Sequence, residues 1–69
     1  MIVVGIKREP GEVFRVTLWS HEGYPLATYT SKRVFLDDKP VEGDELFVSA
    51  VLVKYLKDKN EVYVYTKPQ

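Results

Sequence analysis

Aromatic and basic side chains are the residues of this chain whose types and spacing could bind a ligand. Nine of the 69 residues are aromatic, and in the segment VYVY at 62–65 they alternate with branched apolar residues. Aromatic rings stack on nucleic-acid bases with about 1–3 kcal/mol per base, and nearby lysine or arginine residues bind phosphates. The residues predicted to form such a site are Arg15, Trp19, Tyr29, Lys32, Arg33, Lys54, Tyr63 and Tyr65.

The same aromatic residues have a second interpretation, in which they pack against protein. Aromatic side chains are common in β-strands because they fit a pleated, half-buried surface. The second hypothesis is therefore a protein-interaction module, or a homodimer or larger assembly, that buries the same aromatic face. Added salt separates the two hypotheses, since nucleic-acid binding weakens steeply with salt and an apolar interface does not.

Groups that could perform catalysis or hold a metal are few. Ser20, His21 and Glu22 have the side chains of a catalytic triad, but neighbours in sequence point apart, whereas triad residues converge from separate elements. The acidic pairs at 37–38 and 44–45 do not follow the spacing of a calcium-binding loop, and no glycine-rich phosphate loop is present. We therefore expect no enzymatic activity, no metal site and no cofactor.

Composition restricts the class of protein further. Ten basic and ten acidic residues give a formal net charge of zero, which argues against a generic basic nucleic-acid coat protein. The charges are unevenly placed, because the segment 37–45 has five acidic residues and one lysine, a net −4 that leaves +4 for the rest. The lack of cysteine fits a reducing cytoplasm, and no apolar run approaches the roughly 18 residues of a membrane span. We expect a cytoplasmic protein with no membrane contact, and its many charged and few amide residues are thermophile-like.

The elements that must position the binding residues are β-strands. Two-residue alternation and turn signals predict strands at 2–7, 12–19, 24–30, from 45 onward, and at 61–66. In the second strand Phe14, Val16 and Leu18 face the core, while Arg15 and Trp19 face away.

Three further expectations concern the later strands. Tyr63 and Tyr65 point outward, and Tyr29 and Phe47 are further candidates for the outer surface. The apolar positions change face near Ala50, which predicts a bulge or bend there.

Two segments leave alternatives open. Residues 33–36 could form a short strand or one helical turn. A helix at 45–57 capped by Asp44 would make the protein α+β, but the β-branched and aromatic residues in that segment disfavour it.

Several segments together resemble a known family. The first strand contains a glycine (4–7), and the second alternates aromatic and apolar residues (13–16). An Xaa-Gly precedes the third strand (22–23), and a serine, Ser31, follows it. A Gly-Asp then precedes an alternating strand (41–48), and a short final strand comes last (61–64). This pattern resembles the OB-fold RNA-binding domains of the ribosomal S-one and cold-shock kind, most specifically over residues 41–66. The resemblance implies a five-stranded barrel that binds RNA. A Gly-Asp before an alternating strand also occurs in SH3-like barrels, which are the second choice.

The sequence therefore predicts one small all-β domain over 1–69, a five-stranded antiparallel barrel of OB type. Its predicted function is non-catalytic binding of single-stranded nucleic acid, RNA before DNA, by aromatic stacking beside basic residues.

Overall fold

The computed structural model describes residues 1–68, and its regular structure is almost entirely β. The strands are β1 (Ile2–Glu9), β2 (Val13–Ser20), β3 (Pro25–Ser31), β4 (Arg33–Leu36), β5 (Lys39–Pro40), β6 (Glu45–Ala50), β7 (Leu52–Leu56) and β8 (Glu61–Tyr65). A 3₁₀ turn, Lys57–Lys59, precedes β8. Because this turn is the only helical segment within residues 1–68, that part of the chain has no helix able to cross a membrane.

The strands form two four-stranded sheets. The first sheet has the order β3-β2-β1-β6 and is antiparallel throughout. The second sheet has the order β5-β4-β8-β7, and its β4 and β8 run parallel. The predicted all-β class is confirmed, but the prediction of one antiparallel sheet was wrong, because the strands form two sheets and β4 and β8 run parallel. The connection from β4 to β8 runs through β5, β6 and β7 and is long enough for the parallel pairing.

Two single residues separate strands that belong to different sheets. Lys32 lies between β3 and β4, and Val51 lies between β6 and β7. The Lys32 N–H donates to the Asn60 carbonyl oxygen at 3.1 Å, and the Val51 N–H donates to the Tyr65 carbonyl oxygen at 2.9 Å. The predicted bend near Ala50 is confirmed, and residues 33–36 are a strand. The alternative of a helix at 45–57 was wrong, because its branched and aromatic side chains pack on the pleated surface of β6 and β7.

The core lies between the inner faces of the two sheets. Its buried members are Val4, Ile6, Phe14, Val16, Leu18, Val34, Ala50, Val62 and Val64. Seven of them occupy alternate positions of β1, β2 and β8, as the two-residue pattern predicted, and Val34 and Ala50 lie on β4 and β6. Burial of each aliphatic side chain contributes about 1.5–3 kcal/mol. Because the strands orient to bury these side chains, the alternation determines which face of each strand points to solvent.

The acidic turn between β4 and β5 is tied to residues that follow β8. Asp37 and Asp38 have φ of 48° and 68°, which fits a two-residue turn between paired antiparallel strands. The Asp37 carboxylate accepts hydrogen bonds from the Thr66 N–H at 2.9 Å and from the Thr66 hydroxyl at 2.6 Å. These bonds hold the pKa of Asp37 below its ordinary value. This part of the acidic segment therefore has a structural role.

Candidate functional site

Two aromatic rings lie over Gly5 on the outer face of the first sheet. Gly5 pairs with Phe47 across β1 and β6, and Trp19 projects from the neighbouring β2. A Cβ at Gly5 would lie 2.7 Å from Cζ3 of Trp19 and 2.9 Å from Cε1 of Phe47. The two ring centroids are 6.2 Å apart, with 29° between the ring planes. We call these three residues the Trp19–Phe47 patch; it requires glycine at its centre.

The Trp19–Phe47 patch is open to solvent and shallow. Phe47 is 60% exposed, and Trp19 is half-buried. A depression of about 110 Å³ lies beside the rings, and the other residues of its rim include Lys7, Arg15 and Glu45. Sites for drug-sized molecules measure roughly 300–1,000 Å³. The patch is therefore shaped to take a flat group on its surface and does not enclose a ligand.

The charges around the Trp19–Phe47 patch are balanced. Arg15 donates to Glu9 at 2.9 Å, and its side chain is 56% exposed. In the strand register, Lys7 lies opposite Arg15 of β2 on one side and opposite Glu45 of β6 on the other. Because an exposed ion pair contributes only about 0–1 kcal/mol, an anion can displace Glu9 from Arg15 at low cost.

A second group of predicted site residues lies on the outer face of the second sheet, where it forms a closed network. Arg33 donates through Nε to Glu61 at 2.9 Å, and the Tyr63 hydroxyl donates to the same carboxylate at 3.0 Å. The hydrogen bond to Glu61 raises the pKa of Tyr63. The Tyr63 ring also stacks on Phe35, with centroids 4.8 Å apart. These groups already have partners within the protein.

Tyr65 and Lys54 lie close to that network. Tyr65 is only 8% exposed, and its hydroxyl donates to the Asp38 carboxylate at 3.1 Å. Burial and this hydrogen bond raise the pKa of Tyr65. The Lys54 ammonium group is 6.0 Å from the Tyr65 ring centroid. Tyr65 occupies the outward position that alternation predicts, but β8 is a central strand and the β4–β5 turn reaches its side chain, so little of the ring is accessible.

Tyr29 and Lys32 belong to neither group. Tyr29 pairs with Val16, packs against the core and contacts Tyr55, with ring centroids 4.5 Å apart. Its predicted place on the outer surface was therefore wrong. Lys32 is exposed at the junction of β3 and β4 and follows Ser31, which pairs with Phe14 at the end of β2 opposite to Trp19. Of the predicted residues, only Arg15 and Trp19 lie at the Trp19–Phe47 patch.

The sequence interpretation missed Gly5 and Lys7 and left Phe47 as a secondary candidate. A glycine in the interior of a strand often marks the close approach of another group, and this signal was present at position 5. Phe47 alternates with Leu46 and Val48, both of which pack against the core, so its outward direction follows from the pattern.

The chain has another, larger groove, but its geometry is less suited to a site. This groove of about 350 Å³ is lined by the consecutive residues 55–59 alone. Side chains from separate elements do not converge there, whereas three strands contribute to the Trp19–Phe47 patch. Within residues 1–68, His, Asp and Glu side chains form no group of three or more able to hold a metal ion.

Comparison of this chain with protein-family models, with curated proteins and with solved structures found no match in any of the three. The functional argument therefore rests on the geometry and chemistry of the Trp19–Phe47 patch.

Proposed function

We propose that this protein binds single-stranded nucleic acid on the Trp19–Phe47 patch. The observation that supports the proposal is the pair of neighbouring aromatic rings over Gly5 on an open sheet face, with Lys7 and Arg15 at the rim. Unpaired bases present flat π-faces that stack on such rings, and their phosphates are attracted to adjacent cations. Paired bases in a duplex do not offer these faces, so the proposal is specific to single strands.

The proposal includes an OB-like arrangement of the strands. If β3 and β4 count as one bent strand, and β6 and β7 as another, the pairings run from β1 through β2, β3–β4, β8 and β7–β6 back to β1. Five bent strands paired in this order would surround the core as in a small barrel. OB folds bind oligonucleotides on the face around their second and third strands, and Trp19 lies on β2. An SH3-like fold is the alternative.

RNA is the first candidate ligand, because the sequence pattern resembles domains of the S-one and cold-shock kind. A cytoplasmic location belongs to the same proposal and is supported by the lack of cysteine. The patch itself has no feature that selects ribose over deoxyribose. RNA and DNA of the same sequence are therefore compared directly.

The structure predicts a shallow salt dependence. Lys7 and Arg15 are the cations at the rim of the depression, so about two phosphates are neutralised. For a single strand the slope of log K against log salt is about −0.7 per phosphate, which gives a slope of about −1.4 here. Affinity should then fall about sevenfold between 50 and 200 mM salt. A strongly basic protein would lose far more over that range.

The test is a titration of Trp19 fluorescence with short single-stranded RNA and DNA, with labelled-oligonucleotide anisotropy alongside. Trp19 is the only tryptophan of the chain, so the signal reports on the patch. Phe47→Ala should weaken binding about 5- to 150-fold, which corresponds to the loss of one stacking contact. Tyr24→Ala is the matched control, since Tyr24 is 65% exposed but does not line the depression. Equal affinities for both variants and the unmodified protein would refute the proposal.

The balanced charge around the rings favours a second candidate, a protein partner on the same patch. Glu9 and Glu45 offset Lys7 and Arg15, so an uncharged apolar surface could also dock there without opposing charge. Saturable oligonucleotide binding that falls with salt supports the first candidate. No oligonucleotide binding at low salt, together with salt-resistant association with a protein, supports the second.

A further inference from the structure

One edge of the first sheet has unused hydrogen-bonding groups. The strand β3 pairs with β2 alone, so alternate backbone N–H and C=O groups of β3 point away from the sheet. Within residues 1–68, the first backbone hydrogen bond on that side is made by Lys32, just beyond the end of β3. Leu26, Thr28 and Thr30 along this edge are exposed. Another β-strand would satisfy the unpaired N–H and C=O groups of such an edge.

Charge distinguishes β3 from the other edge strands. Within the described residues 1–68, the sheet orders end in four edge strands: β3, β6, β5 and β7. The strand β6 contains Glu45, β7 contains Lys54, and β5 is two residues long with a lysine and a proline. Proteins protect free edges with such charges, prolines and short strands. The segment 24–31 has no charge, and its only protective residue is Pro25 at the start of the strand.

The residues on either side of β3 favour self-pairing in the antiparallel direction. Glu22 precedes the uncharged segment, and Lys32 follows it; both are exposed. Antiparallel pairing of two copies brings Glu22 of one copy towards Lys32 of the other, whereas parallel pairing places like charges together. Because the segment between them is uncharged, no antiparallel register of 24–31 puts like charges opposite each other. In a two-fold dimer both subunits contribute the same surface to the interface, and an antiparallel pair of two β3 strands meets this condition.

We propose that the protein forms a two-fold symmetric dimer in which β3 pairs antiparallel with β3 of a second copy. The two first sheets then make one continuous eight-stranded sheet. The two β2 strands lie three strand spacings apart, about 14 Å, so both Trp19–Phe47 patches lie on connected sheet faces. The dimer does not depend on nucleic-acid binding, and either property can fail without the other.

The test is sedimentation velocity of the whole chain from low micromolar to submillimolar concentration, with charge variants at the edge. Thr28→Lys and Thr28→Glu each place like charges near the two-fold axis and should weaken the dimer by up to about fivefold. An equimolar mixture of the two variants should form the dimer again, because the charges are then opposite. Ser49→Lys is the matched control, since Ser49 is an exposed residue on the other edge of the same sheet. Circular dichroism and thermal unfolding identify variants that fail to fold.

A cysteine pair provides a second measurement that does not depend on the charge variants folding. The natural chain has no cysteine, so Thr28→Cys introduces a single thiol at the β3 edge and Ser49→Cys a single thiol at the β6 edge. Under mild oxidation we expect a disulfide-linked dimer from Thr28→Cys in large excess over Ser49→Cys. Three results would overturn the proposal: a monomer at every concentration, dissociation by Ser49→Lys alone, or preferential cross-linking at residue 49. If the protein is monomeric, the β3 edge would instead be free to pair with an extended segment of a different protein.

Discussion

The replacement of Gly5 by alanine places a methyl group against both rings of the Trp19–Phe47 patch. The new Cβ would lie 2.7 and 2.9 Å from Cζ3 and Cη2 of Trp19 and 2.9 Å from Cε1 of Phe47, whereas ordinary contacts begin at 3.4 Å. Since β1 is paired on both sides, its backbone has little freedom to retreat. The rings must therefore withdraw by about 0.5–0.7 Å, the difference between these distances.

The expected loss of stability follows from two opposing contributions. Overpacking of this kind costs about 1–3 kcal/mol. Alanine also restricts the unfolded chain and recovers about 0.5–1 kcal/mol relative to glycine in a strand. We expect Gly5→Ala to lower the free energy of unfolding by about 0–2.5 kcal/mol, from a total of about 3.5–10 kcal/mol for a domain of this length.

Urea unfolding measured by circular dichroism gives this free energy. Circular dichroism is preferred because Trp19 fluorescence reports on the perturbed ring itself. Gly43→Ala is the matched control, since nothing lies within 4 Å of its added Cβ. The cycle with Phe47→Ala isolates the clash, because Gly5→Ala should be less harmful once the Phe47 ring is removed. If the two substitutions are additive and Gly5→Ala leaves both stability and oligonucleotide affinity unchanged, the close packing over Gly5 does not exist in solution.

Three further predictions concern charge and pH. Glu9→Gln should raise affinity for single-stranded oligonucleotides by a few fold at low salt, because it releases Arg15 from an exposed ion pair; anisotropy titration would show an unchanged affinity if phosphates do not reach Arg15. The pKa of Asp37 is lowered in the folded state. Its stabilising effect is therefore present above the ordinary carboxyl pKa of 3.8 and is lost as pH falls through the folded value. Asp37→Asn should flatten the acid side of the curve of unfolding free energy against pH, and an unchanged curve would contradict this. The pKa of Tyr65 is raised, so its contribution is present below the ordinary value of 10.0 and is lost as pH rises through the folded value; Tyr65→Phe should reduce the loss of stability in alkali, measured by thermal unfolding from neutral pH upward.

The strand positions could be predicted from the sequence because burial imposes a period of two. Val4 and Ile6 alternate with Gly5 and Lys7 in β1, and the loss of such alternation near Ala50 indicated the bend at Val51. Tyr29 shows that the same rule was underused. Thr28 and Thr30 flank it on the solvent side, so alternation already placed its ring on the core side.

The remaining features depend on contacts between distant segments, which local patterns do not encode. The parallel pairing of β4 with β8 joins residues 28 positions apart, starting at Arg33 and Glu61. Tyr65 donates a hydrogen bond to Asp38 of the β4–β5 turn, which lies 27 positions away. For the site, the residue types could be predicted but not which of them lie together. Of the eight predicted positions, six are divided between the outer faces of the two sheets, Tyr29 lies on the inner face of β3 and Lys32 lies between β3 and β4.

The central place of β8 in the second sheet also determines what a local opening of the protein would expose. The strands of the first sheet all lie within residues 2–50, whereas β8 is the strand that joins β4 to β7. Detachment of β8 would leave Val34 and Val53 without their partners Val62 and Val64, and exposed apolar strands are prone to aggregate. Substitutions that weaken the pairing of β8 should therefore promote aggregation more than equally destabilising substitutions in β3, which has one neighbour in its sheet.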